Sequence, residues 1–241
     1  RYLENNKASF PKPDKKTCQK ILQNNIWGVD INETATFISV FSLTIALLDR
    51  LHPKEIWNNL KLHTLQNNIQ KKNFFNWVNA NKERNFDLVI GNPPFNPIKD
   101  MSRKNAVSDE QIKLFGIISK NIPKNNFALK FFEGAMFLGK KICMILPSNV
   151  LLYQRGKQKS TVQKYRNHIF TDFTVKKIFD FTHLRSVLFE SVDTPVCAVI
   201  ANSDQSRGQK IEHIVVRRIA SIEKKIYFEI DYYDSHLVPH D

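Results

Sequence analysis

Glycine is scarce in this sequence: seven occur among 241 residues, and none precedes Gly28. The stretch before Gly28 therefore holds no glycine-rich turn, the device that lets a backbone approach a ligand closely because no Cβ intervenes. Cysteine is scarcer still. Cys18, Cys143 and Cys197 are an odd number without metal or redox spacing. Cys143 and Cys197 lie in apolar runs and read as core fillers, which fits a reducing cytoplasm. The amino terminus shows no signal-peptide pattern. The apolar run from Ala35 to Leu48 is too short to span a bilayer and is flanked by acids. Acidic residues are outnumbered, 23 Asp and Glu against 36 Lys and Arg, giving a formal charge of +13 and a pI near 9.6. Such a balance favours a polyanionic partner, because neutralising phosphates releases counterions; a basic composition bias with no partner reads the same way. No internal repeat or low-complexity tract stands out. With 42% hydrophobic residues and 18 Phe the chain is a folded, globular one.

Against that background one stretch stands out: Phe86-Asp87-Leu88-Val89-Ile90-Gly91-Asn92-Pro93-Pro94-Phe95. Its short apolar, β-branched run reads as a buried strand. The run stops at Gly91, and two prolines then bar both a further strand and a helix. Asn92 is thereby held at the carboxyl end of a strand, where open α/β sheets bind ligands. Pro93 and Pro94 carry no N–H, and each restricts the residue before it. The turn offers carbonyl acceptors without competing donors, joined by the Asn92 carboxamide and the flat face of Phe95. Such a cradle suits a planar ring bearing an exocyclic amino group; a plain strand followed by a proline-rich turn is the bland alternative.

Asp30 is the second candidate. Ile26 to Ile31 reads as a short strand ending in an acid, with Asn32 as the N-cap of a following helix, Ala35 to Leu51, that Pro53 ends. That helix is apolar nearly all round, so burial on every side is expected. A carboxylate at such a strand end can accept bonds from both hydroxyls of a ribose, or simply complement the positive end of the helix.

The remaining elements follow from periodicity and punctuation. A short helix is expected over Lys15 to Leu22, a helix within 56–68, and a third strand over Ile69 to Phe75. Further helices are expected at Ser108 to Lys120 and Phe127 to Gly139, the latter leading into an apolar strand, Lys141 to Leu146, that ends in Pro147-Ser148-Asn149. Val175 to Phe181 reads as a strand, and Val196 to Ile200 with Gln209 to Arg218 as a hairpin about a polar turn. Ile219 to Asp241 carries no clear pattern.

Asp87 to Phe95 resembles the catalytic motif of the adenine-N6 DNA methyltransferases: Asp, three apolar residues, Gly-Asn-Pro-Pro and an aromatic. The surrounding chain, roughly Gly28 to Arg218, is similar to the large enzymes of restriction–modification systems. The resemblance implies an α/β fold, a Rossmann-like class I methyltransferase sheet, mainly parallel with a C-terminal antiparallel hairpin. It divides the chain into a remnant of the first helix and a linker (1–25), a partial catalytic domain (26–218) and the start of a following segment (219–241). It implies S-adenosylmethionine as cofactor, double-stranded DNA as partner, a cytoplasmic location, and neither a metal nor a membrane.

By the same resemblance Asn92, Pro93, Pro94 and Phe95 are catalytic. Asp30 binds the cofactor's ribose and Ile31 packs on its adenine, with Asn73 and Phe74 as a further cofactor contact. The family has Asp where this chain has Asn73, so an acceptor is kept but a charge is lost. Phe189 matches the aromatic that packs on the extruded base opposite Phe95. The segment Tyr153 to His168 carries Arg155, Lys157, Lys159, Lys164 and Arg166 and no acid, which reads either as a solvated helix face or as a grip on DNA phosphates.

One part of the family pattern is missing, the first strand and the glycine-rich turn that follows it. The chain is therefore expected to be a fragment, inactive alone, with a target-recognition domain and any linked nuclease outside it. The implied chemistry is direct methyl transfer to an adenine drawn out of the duplex, its amino hydrogens accepted by Asn92 and the Pro93 carbonyl. RNA or protein amino-methyltransferases use the same acceptor logic. The same residues would also occur in a cofactor-less DNA-binding relative or in a purely structural domain.

Overall fold

The computed structural model describes residues 15–49, 51, 54, 65–95, 122–123, 126–152, 160–184, 188, 194–205, 209–216 and 234–239. The chain separates into two compact units, Arg1–Trp77 and Val78–Asp241.

In the first unit α1 (Lys15–Asn25) leads to β1 (Gly28–Asp30), which pairs in parallel with β2 (Ile69–Lys71). Between them α2 (Glu33–Leu48) starts on an Asn32 cap whose side-chain oxygen accepts from the Thr34 and Ala35 amides, as expected. Cys18, Leu47 and Leu51 form its small core with Leu22 against them. Three expectations are corrected here. Helix α2 is not buried all round: of its residues only Thr36 and Leu47 are buried, and Phe37 is 72% exposed, with Phe41, Ile38 and Ile45 also exposed. It also ends at Leu48, with Asp49 as C-cap, ahead of Pro53. The third strand stops at Lys71, and Phe74 instead opens helix α3 (Phe74–Ala80). Asn73 diverts the chain, because its side-chain oxygen accepts from the Phe75 and Asn76 amides and so nucleates a helix turn.

In the second unit six strands form one sheet in the order β3-β4-β6-β5-β7-β8. They are β3 (Phe86–Gly91), β4 (Gly139–Pro147), β5 (Thr174–Asp180), β6 (Val196–Asn202), β7 (Lys210–Val215) and β8 (Ser235–Pro239). β3, β4, β5 and β7 run one way, and β6 and β8 the other. The sheet is thus mixed, with most strands in one direction. The expected hairpin is corrected: β6 lies between β4 and β5, antiparallel to both, and β7 pairs in parallel with β5. The polar turn after Asn202 signals a change of direction but not which strand the chain returns to. β8, which carried no sequence pattern, pairs antiparallel with β7.

Helices α4 (Phe127–Met136), α5 (Ser148–Leu151) and α6 (Thr161–Asp172) follow β3 and β4. Asn126 caps α4 by accepting from the Leu129 amide, and α4 packs on β4 through an apolar face that includes Leu129 and Phe132. Those two residues, with Ile142, Leu146, Val175, Val196 and Val199, are fully shielded from solvent. Each is worth about 1.5–3 kcal/mol relative to exposure. β3 is an exception to the expected burial. Among the described residues it is one of the sheet's two edge strands, and Leu88 and Ile90 are 57% and 72% exposed.

Candidate functional site

β3 and β4 are neighbouring parallel strands, and their registration brings Gly91 opposite Met144. A Cβ at residue 91 would stand 3.1 Å from the Met144 Cε, so glycine lets the last residue of β3 lie close over that side chain. The chain then leaves the sheet at Asn92-Pro93-Pro94. Asn92 is exposed, Pro93 is buried, and Pro94 and Phe95 are half-buried. A buried imide ring therefore anchors the turn from below while the carboxamide before it faces solvent. Among the described residues Asn92 has no hydrogen-bond partner, so its oxygen is available to a ligand. With no N–H on Pro93 or Pro94, the acceptors of this turn have no donors beside them.

The same sheet edge carries the ends of β4 and β5. At β4, Ser148 is buried and its amide donates to the Pro195 carbonyl at 2.9 Å, which ties the turn to the start of β6. At β5, Asp180 accepts from the Thr182 amide at 2.9 Å and from the Thr182 hydroxyl, closing that turn on itself.

Asp30, in the first unit, is exposed at the carboxyl end of β1, and its Oδ1 accepts from the Asn32 amide at 2.7 Å. Its cross-strand neighbour Lys71 is engaged elsewhere: Lys71 Nζ lies 2.6 Å from Glu33 Oε2. That bond holds the Glu33 carboxyl below the usual range. Ile31 is exposed beside Asp30. Asn73 is half-buried, and both of its oxygen lone pairs are engaged by the cap of α3, which leaves its amino group as the free function.

The basic segment is described in part. Lys164 is exposed on α6. Arg166 points its Nε at the Val150 carbonyl, 3.1 Å away, so it braces α6 against α5, and burial lowers its pKa. Arg155, Lys157, Lys159 and Phe189 lie outside the described residues, as does the helix expected over Ser108 to Lys120.

Residues 24–187 match the Eco57I restriction-modification methylase family. The chain belongs to that family. Comparison with curated proteins gave no match. Among solved structures, a modification subunit assigned to a type I restriction enzyme of Vibrio vulnificus YJ016 superposes with a TM-score of 0.60 at 9% identity, over 94% of this chain and 46% of that one. DrdV in complex with DNA gives 0.58 at 15% identity, over 94% and 24%. A nuclease-deletion mutant of the type ISP restriction-modification enzyme LlaGI, bound to a DNA substrate mimic, gives 0.53 at 12%, over 90% and 23%. At these identities the likeness is one of fold, and this methylase-family chain spans less than half the length of each.

A further asparagine, not among the candidates read from the sequence, lies just past the end of β4. Asn149 lies two residues past β4, in α5, and it is exposed between buried Ser148 and buried Val150. The signal was an apolar strand breaking into Pro147-Ser148-Asn149, the same kind of stop as at Gly91-Asn92-Pro93. Among the described residues no group of three His, Cys, Asp or Glu side chains could hold a metal, and no helix is long and apolar enough to cross a membrane.

Proposed function

We propose that this chain carries the catalytic part of an S-adenosylmethionine-dependent DNA adenine-N6 methyltransferase that serves a restriction–modification system. The reading rests above all on one observation: the Asn92 carboxamide, without a hydrogen-bond partner among the described residues, stands on a buried proline at the carboxyl end of β3. Family membership and the excess of positive charge agree with it.

The residues of the first unit fit a nucleoside cofactor. Asp30 presents a carboxylate that can accept from ribose hydroxyls, and exposed Ile31 offers an apolar surface beside it. Asn73, with its oxygen engaged, would donate to a ring nitrogen of the cofactor's adenine, with Phe74 alongside. When bound, S-adenosylmethionine supplies an electrophilic methyl group.

The amine of the target adenine is a poor nucleophile because its lone pair is delocalised into the ring. Asn92 Oδ1 and the Pro93 carbonyl accept its two hydrogens and draw density back onto nitrogen. Phe95 stacks on the extruded ring, with Phe189 on the other face. The surplus proton of the methylated amine would pass from N6 to water. Orientation and preorganised acceptors supply the rate, without a general base of ordinary pKa. Lys164, with Arg155, Lys157, Lys159 and Arg166, lies in the segment assigned to the DNA backbone. Target-recognition and nuclease functions belong to partners or to further domains.

The test is transfer of a tritiated methyl group by the full-length protein to duplex DNA, RNA and protein acceptors in competition, followed by identification of the modified group. N6-methyladenine in DNA is expected; label on RNA or on a protein amide, or none at all, overturns the reading.

A further inference from the structure

The cradle at Asn92 is rich in acceptors and poor in donors, which leaves part of any adenine it holds unsatisfied. Asn92 and the Pro93 carbonyl satisfy the amino hydrogens, but the ring nitrogens of adenine are acceptors. Removed from water without a donor, each such nitrogen costs binding energy. Pro93 and Pro94 have no N–H to give. A neighbouring strand end can supply the donor.

At that edge the options are few among the described residues. Ser148 is buried and its amide is bonded to Pro195; Thr182 is bonded to Asp180. Asn149 differs from both. Of the five residues from Pro147 to Leu151 it is the exposed one, the others being buried. Among the described residues its carboxamide has no hydrogen-bond partner. The asparagines that serve the fold are engaged by contrast: Asn32, Asn73 and Asn126 cap helices, and Asn68 donates to the Gln23 and Ile26 carbonyls. Asn92 and Asn149 share exposure, a rigid buried frame, and free donor and acceptor functions.

Their spacing suits one purine. Gly91 is opposite Met144 on adjacent parallel strands, so Asn92 follows that pair by one residue and Asn149 by five. Four residues of offset at a rise of about 3.3 Å, shortened where the chain turns into α5 at Ser148, together with strands about 4.8 Å apart, put the two Cα atoms on the order of 10–14 Å apart. A carboxamide at each end, with a hydrogen bond of about 2.9 Å from each, leaves room within that span for one purine.

We propose that Asn149 is a substrate-contact residue, whose Nδ2 donates to a ring nitrogen of the extruded adenine while Asn92 grips its amino group. This rests on the adenine-methyltransferase reading. Where that nitrogen is N1, Asn149 also contributes to the choice of base, since the N1–H of guanine would meet its donor with another donor.

The experiment uses the full-length protein and a duplex containing its mapped methylation site, with the target adenine intact or replaced by 1-deaza-, 3-deaza- or 7-deazaadenine, each of which exchanges one ring nitrogen for C–H. Asn149→Ala is expected to lower kcat/KM on the intact duplex by ~10- to 100-fold while leaving S-adenosylmethionine affinity and circular dichroism unchanged. Asn149→Asp, which exchanges the donor for an acceptor, should fall at least as far. One deaza analogue should slow the wild type and bring no further loss in Asn149→Ala, since both remove the same bond. Wild-type kinetics in Asn149→Ala, or analogue penalties that stay undiminished in it, overturn the proposal. Absence of any adenine methylation by the wild type sinks the underlying reading instead, so the two failures are distinguishable.

Discussion

Gly91 and Asn92 place opposite demands on adjacent positions, one for the absence of a side chain and the other for a particular one. A methyl group at residue 91 would meet the end of a flexible thioether at 3.1 Å. Gly91→Ala should therefore cost about 1 kcal/mol or less. Gly139 is less forgiving, because a Cβ there would lie 2.6 Å from Val89 Cγ2 and 3.3 Å from the Phe86 carbonyl oxygen, which is backbone. Gly139→Ala should cost ~1–3 kcal/mol in urea unfolding, clearly more than Gly91→Ala; equal costs would contradict the close packing of β3 on β4. Asn92→Ala removes an exposed carboxamide that bonds to no described group, so stability should hold within ~0.5 kcal/mol. Methyl transfer by the full-length protein should instead fall by at least ~100-fold with cofactor affinity nearly unchanged, and retained transfer would remove Asn92 from the site. The place of Asn92 at the carboxyl end of β3 was legible in the sequence because two prolines leave its backbone few options. Asn73 was less so: whether its oxygen serves a ligand or caps a helix depends on where β2 stops, and a three-residue strand carries too little periodicity to say.

Elements were legible where the core speaks through them and obscure where pairing is non-local. Helix α4 and β4 follow from apolar spacing, since both bury their apolar residues against each other, whereas the Asn126 cap was not read. The position of β6 between β4 and β5 does not, because strand order is a contact between distant segments and leaves no local mark. Helix α2 shows the limit of composition in another way: an all-apolar segment states only that burial is favourable, while Phe37 and Phe41 remain exposed on it. At the junction of α4 and α6, His168 lies between two carboxylates, with Nδ1 2.6 Å from Asp172 Oδ2 and Nε2 3.3 Å from Glu133 Oε1. The bond to Glu133 raises its pKa above 6.5, against an opposing effect of burial and with further help from Asp172. Beside it, burial and the same Glu133 push the Tyr165 hydroxyl well above its ordinary value. A histidine whose folded value is raised stabilises fully below its unfolded value, and that contribution fades as pH climbs through the folded one. The stability difference between wild type and His168→Asn, read from urea midpoints, should therefore be widest near ~pH 6 and narrow toward ~pH 9. A difference that widens with pH would show that the imidazole is not held as a cation there.

At the scale of the whole molecule, the formal charge of +13 is the property that sequence gives outright and structure does not alter. Two explanations compete for it: a polyanionic partner and a compositional habit. They differ in salt dependence rather than in affinity alone, because each phosphate neutralised by a cation releases counterions and adds about 0.9 to the slope of log K against log salt on duplex DNA. Much of the fold's own electrostatics is local and leaves this excess intact, as in Lys71 with Glu33, Lys140 with Asp87 and Lys177 with Glu212, where each cation is matched by one acid. Binding of the full-length protein to duplex DNA should weaken by at least ~100-fold between about 50 and 200 mM salt. Lys164→Ala, at an exposed position of α6, should reduce the slope by about 1 without changing which sequences are bound, as expected of a backbone contact. Arg166→Ala should behave differently, because its guanidinium braces the Val150 carbonyl: it should lower stability more than it lowers the slope. An affinity indifferent to salt would assign the excess charge to composition and withdraw α6 from the DNA-binding surface.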